Sequence, residues 1–166
     1  MPQVKFTNTK GLHQVSGRGS VGLRRTTELL VDQNAAGSNR SALTVDESGK
    51  IFLVPALNTG TQTIALPVAS ADSVGCSWTF IMTGTAGQIL NIETSHASDK
   101  ILAVKPKGDG DNTAISQGYD KIGFKAAAVI GSQFTITCIS TTRAHAFIAH
   151  EVIDGLAANT GCINLA

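Results

Sequence analysis

Residues 43–92, LTVDESGKIFLVPALNTGTQTIALPVASADSVGCSWTFIMTGTAGQILNI, alternate short apolar runs with turn chemistry. Read with a period of two, Ile64 and Leu66 fall on one face of a strand that Pro67 stops. Trp78, Phe80 and Met82 fall on one face of the next. Working outward, the same reading predicts strands at 43–46, 50–54, 61–66, 77–83, 88–93 and 100–104, then at 121–129, 133–140 and 144–151. The connectors at 47–49, 58–60, 84–87, 107–112 and 130–132 carry the Gly, Asn and Asp that tight β connections require. Residues 46–49, Asp-Glu-Ser-Gly, read as a hairpin turn. Nowhere does a 3.6-residue period run for a dozen residues, so little helix is expected beyond a turn near 68–73. The expectation is an all-β chain, an antiparallel β-sandwich or barrel.

Alternation also indicates which faces are dry. Phe134, Ile136 and Cys138 point one way and Thr135 and Thr137 the other, the pattern of a strand with one packed face. In 144–151, Phe147 shares a face with His145 and Glu151, and Ile148 shares the other with His150. With no wet side, this reads as an edge strand covered by another subunit or by the tail.

The chain divides into an extended N-terminal arm (1–40), a β domain (41–151) and a C-terminal tail (152–166) that packs on the domain or a neighbour. The arm holds Lys5, Lys10, Arg18, Arg24, Arg25 and Arg40 among glycines, with too few apolar anchors for a core of its own. Charged residues are only 15% of the chain, against the ~25% usual in soluble domains. A surface so poor in charge suits an assembled protein. The net charge of +1 supplies no general field toward nucleic acid or membrane, and neither is expected as a partner. No window reaches the ~18 apolar residues of a membrane span. The opening MPQVKFTNTKGLHQ lacks the apolar core of a signal peptide, so assembly inside a reducing cell is expected. Cys76, Cys138 and Cys162 have an odd count and wide spacing that argue against a disulfide framework, and Cys138 reads as a small buried apolar side chain.

Candidate chemistry is sparse. His145, His150, Glu151 and Asp154 are the densest group of potential metal ligands, but His145 and His150 stand five apart, on opposite faces of a strand. Asp109 and Asp111, in Gly-Asp-Gly-Asp-Asn at 108–112, space oxygens as calcium loops do but lack a closing Glu; they are a weak calcium candidate and otherwise a solvated turn. Gly17, Gly19 and Gly22 match a GxGxxG spacing without the flanking strand and helix of a dinucleotide fold. No serine sits in a GxSxG elbow, and no sequence feature selects a carboxylate pair from Glu47, Glu93 and Glu151. No catalytic residue and no cofactor is expected. A small hydrolase would have to act through His145, His150 or Glu151.

The succession LTVDESGKIF, TQTIALP, SVGCSWTFIMTG, ILNI also resembles a recurrent module of small tailed-phage virion proteins. Its marks are a strand ending in a D-x-S-G-K-like turn, a T-hydrophobic-x-L-P strand and a G-x-x-hydrophobic-x-F strand. Proteins of this kind decorate capsids or form head fibres. The resemblance covers about a third of the chain and brings no catalytic residues. It implies a virion structural protein on the outer capsid surface: a decoration or cement protein that stabilises capsomer junctions as a homotrimer, with the major capsid protein as partner. In that reading Arg18, Arg24 and Arg25 contact the shell. The alternative is a carbohydrate-binding β-sandwich for host attachment, which needs an exposed aromatic platform, with Trp78 and Tyr119 the only Trp and Tyr.

Overall fold

The structure, a computed structural model, describes residues 3–7, 11–16, 26–30, 40–57, 60–103, 118–153 and 163–165. Twelve strands are seen among them: β1 (Gln3–Thr7), β2 (Gly11–Ser16), β3 (Thr27–Leu29), β4 (Ile51–Val54), β5 (Gln62–Ala65), β6 (Ser77–Met82), β7 (Leu90–Glu93), β8 (Ile101–Ala103), β9 (Lys121–Phe124), β10 (Gln133–Cys138), β11 (Phe147–Ile153) and β12 (Ile163–Leu165). They form a two-stranded hairpin β1-β2, a six-stranded sheet β3-β4-β6-β10-β11-β8 and a four-stranded sheet β12-β9-β7-β5.

The β-rich expectation holds, but the sheets are mixed. Pairs β3–β4, β4–β6, β8–β11 and β5–β7 are parallel. The reason is the path of the chain: from β4 to β10 each successive strand enters the opposite sheet. Pro55 and Pro67 follow β4 and β5 closely and have no N–H to continue a ladder. Connections read as reversals therefore cross from one sheet to the other, so that β6 returns parallel to β4 and β7 parallel to β5, while β9 returns antiparallel to β7.

A row of phenylalanines binds the two sheets. Phe52, Phe80 and Phe134 stand in register across β4, β6 and β10, with ring centroids 5.1 and 5.2 Å apart. Phe124, from β9 of the other sheet, meets Phe134 at 4.9 Å. All four are fully buried. Such pairs add about 0.5–1.5 kcal/mol each beyond the area they bury. Trp78, Met82, Ile64, Leu66, Leu90, Ile92 and Ile122 join the same core, as their alternation predicts. Gly123 sits where β9 passes β7: a Cβ there would lie 1.8 Å from the Leu90 carbonyl oxygen.

The β6–β10 ladder is framed at both ends by glycine bulges. At one, Gly75 (φ +88°) donates to the Cys138 carbonyl at 2.8 Å while the Cys138 amide donates to Cys76 at 2.9 Å. At the other, Gly131 (φ +89°) donates to Met82 and the Met82 amide donates to Ser132, both at 2.9 Å.

Several local expectations are corrected. Residues 43–46 are not a strand, and 46–49 are not a hairpin turn: Val45–Glu47 is a 3-10 turn leading into β4. Both backbone groups of Thr44 are taken by side chains, its N–H by Glu47 Oε2 (3.0 Å) and its carbonyl by the Trp78 indole (3.3 Å). Strand β9 stops at Phe124, because Ala128 is pulled into a turn by its bond to the Lys125 carbonyl (2.9 Å). A 3-10 turn at Arg143–His145 delays β11 to Phe147. Strand β11 is also not an edge, since β10 and β8 flank it. The far face of β10 is not uniformly wet: Thr135 is 3% exposed and its hydroxyl lies 2.9 Å from that of Thr79 directly opposite. Cys138 is fully buried, as read. The stretch read as an arm supplies the β1–β2 hairpin and the edge strand β3, and the tail supplies β12, paired with β9.

Candidate functional site

The densest polar constellation among the described residues lies on the β3–β4 side of the six-stranded sheet. Strand β3 presents Glu28, the 3-10 turn presents Glu47, and Arg40 and Lys50 reach both. The Arg40 guanidinium spans the pair, one Nη to Glu28 and the other to Glu47. Lys50 Nζ lies 2.7 Å from Glu28 and 3.0 Å from Glu47. The Arg40 and Lys50 cations also sit 5.0 and 5.7 Å from the centroid of the Phe52 ring. Burial by itself would raise the Glu47 carboxyl, but hydrogen bonds from Arg40, Lys50 and the Thr44 amide outweigh it and hold the group at about 2, against an ordinary 4.5. Burial would lower the Arg40 guanidinium, yet the two carboxylates raise it; Lys50 is raised chiefly by its bonds to Glu28 and Glu47. Two acids and two bases thus neutralise one another on an aromatic floor. This is a clamp, which ties β3 to the body and leaves no uncommitted group for a reaction.

A second tie centres on Asp99, whose side chain is fully buried. Its carboxylate accepts from Arg143 Nη1 at 2.8 Å and from the Ala69 amide at 3.1 Å, joining three loops. Nearby, Lys100 Nζ binds Asp120, and its backbone N–H donates to the Arg143 carbonyl at 2.8 Å.

Of the residues singled out in the sequence, those that are described do not converge. Arg18, Arg24, Arg25, Asp109, Asp111, Asp154, Gly17, Gly19, Gly22 and Cys162 lie outside the described residues. His145 ends an exposed 3-10 turn, while His150 on β11 places Nε2 2.8 Å from the Thr137 hydroxyl. Among the described residues no three His, Cys, Asp or Glu are grouped to hold a metal. Glu47 belongs to the clamp, Glu93 ends β7 in the other sheet, and Glu151 lies on β11. Trp78 is fully buried, and Tyr119 is half-buried against the core, so neither is an exposed platform.

Sequence reasoning missed both ties. Glu47 and Lys50, three apart, gave the only local signal; Glu28 to Arg40 and Asp99 to Arg143 are contacts that no spacing rule reaches.

Charge is nevertheless unevenly distributed along the chain. Of thirteen Lys and Arg, five fall within residues 1–27, and all twelve Asp and Glu come later. The first segment therefore carries +5 and the remainder −4. No protein-family model matches the chain, and no curated protein matches it.

Proposed function

We propose that the chain is a structural protein of a phage virion: a capsid decoration (cement) protein bound as a homotrimer to the outside of the head, where it stabilises junctions of the major capsid protein. Its two sheets would form a β-sandwich body, and residues 1–40 would carry the shell-gripping segment with Arg18, Arg24 and Arg25 in contact with acidic shell loops.

One observation carries the reading, the separation of five cations without a carboxylate from a body in which Glu28, Arg40, Glu47, Lys50, Asp99, Lys100, Asp120 and Arg143 are tied in ion pairs. A body built around structural ties, with a cationic extension, suits recognition of a large acidic surface. The mechanism is mechanical. Each copy buries interface across a junction, stable protein interfaces removing about 1,200–2,000 Å² from solvent, and that interface must be lost before the shell opens. Occupied sites stabilise the closed shell by mass action.

The test is particle imaging and co-sedimentation with emptied shells. The protein is expected as regular density at capsomer junctions, and R18E/R24E/R25E is expected to remain in the supernatant with its circular dichroism unchanged. A wild-type chain that never sediments with shells, or density confined to the tail, would overturn the proposal.

A further inference from the structure

Among the described residues the outer edge of β3 is open. Thr26 accepts from the Ile51 amide and the Leu30 amide donates to the Leu53 carbonyl, both at 2.8 Å, so alternate peptide groups face β4. The intervening N–H and C=O groups of Thr27 and Leu29 face away and find no partner among the described residues. The Leu29 side chain beside them is 60% exposed. Two other edge strands are treated differently: Ala42 bridges to Ala65 at the edge of β5, and Tyr119 bridges to Ile101 at the edge of β8. The hairpin β1–β2 has the reciprocal need. It joins neither larger sheet among the described residues, and a two-stranded hairpin alone is marginal in water.

We propose that the β1–β2 hairpin of one copy adds to the outer edge of β3 in a second copy, extending the six-stranded sheet across the subunit boundary. Charge favours this occupant. The hairpin stretch 3–16 carries Lys5 and Lys10 and no carboxylate, within a 1–27 segment of +5, and it would meet a remainder of −4, whereas segment against segment, or remainder against remainder, sets like charge on like. Reach allows it, because the ten peptide steps from Ser16 to Thr26 span at most about 33–36 Å. Strand addition satisfies the outward peptide groups of β3 and gives Leu29 a covered site. The inference stands apart from shell binding, since exchange is read on the free protein and shell binding on particles.

The experiment is sedimentation velocity on the full chain and two variants. Thr27→Pro removes an outward N–H without touching the β3–β4 ladder, leaving a chain that donates a hairpin but cannot accept one. Phe6→Pro breaks the hairpin and leaves the edge, so that chain accepts only. Wild type is expected to associate, more weakly as salt is raised, and each variant alone to dissociate about tenfold or more readily. An equimolar mixture of the two variants is expected to recover a two-chain complex. Thermal melts verify folding, and Leu29→Lys replaces Thr27→Pro if the proline lowers the melt. Wild type sedimenting as a monomer, a folded edge variant that still associates, or a mixture that stays monomeric would each overturn the proposal.

Discussion

Replacing Glu47 with glutamine removes one charge from the clamp and keeps an oxygen for the Thr44 amide. The Glu47 carboxyl is held at about 2 in the folded protein against 4.5 ordinarily. At about 1.36 kcal/mol per unit, that gap bounds its contribution near 3 kcal/mol. The clamp is not sealed from water, the Glu28 side chain being 33% exposed and that of Arg40 23%. Solvent screening brings the expected cost of Glu47→Gln to about 1–2 kcal/mol at neutral pH. The sign follows from the direction of the shift: a carboxyl lowered on folding stabilises fully above 4.5, and its contribution fades as pH falls toward 2. Urea unfolding of wild type and variant from pH 7 to pH 2 measures this as a difference curve, in which other acids common to both cancel. The two stabilities should differ by about 1–2 kcal/mol above pH 5 and converge near pH 2. Parallel curves over the whole range would refute the reasoning, because a residue that served only by shape would cost the same at every pH.

Asp99→Ala leaves the Ala69 amide without its acceptor and should cost about 2–3 kcal/mol in chemical denaturation, with Asp99→Asn recovering part because it still offers an oxygen. Two glycines separate steric from conformational demand. Gly123→Ala drives a methyl into the Leu90 carbonyl and should cost at least about 3 kcal/mol or prevent folding, read by thermal melting. Gly131→Ala meets no atom within 4 Å and pays only for its positive φ, about 1–2 kcal/mol on the same assay.

Much of the strand content was legible because alternation reports which side chains are buried. Trp78, Phe80 and Met82 were assigned one face, as were Phe134, Ile136 and Cys138, and all six are at most 1% exposed. Strand direction was not legible. A Gly or Pro connector looks alike in sequence whether it reverses the chain within a sheet or carries it to the facing one. The turn at Val45–Glu47 defeated a strand assignment for a related reason: its cause is Trp78, thirty-four residues from the Thr44 carbonyl it binds. The clamp was half visible. Glu47 and Lys50 are near in sequence, but Arg40 read as an arm cation until the fold set it over Phe52. Buried Asp99 gave no local signal, since a lone carboxylate among Ser and His resembles any polar loop.

The alternation of strands between sheets has a consequence for how the chain is made. Strand β10 joins the β3-β4-β6 half of its sheet to the β11-β8 half, and β12 closes the edge of the other sheet. A nascent chain that has delivered β3 to β9 holds fragments of both sheets and neither in full. With synthesis at about 5–20 residues per second, its apolar strands wait seconds for partners still inside the ribosome. Their pairings, far apart in sequence, then form slowly. Truncation before Gln133 should therefore leave no smaller stable fold, and the arrival of β10 to β12 decides when the earlier strands become safe from aggregation.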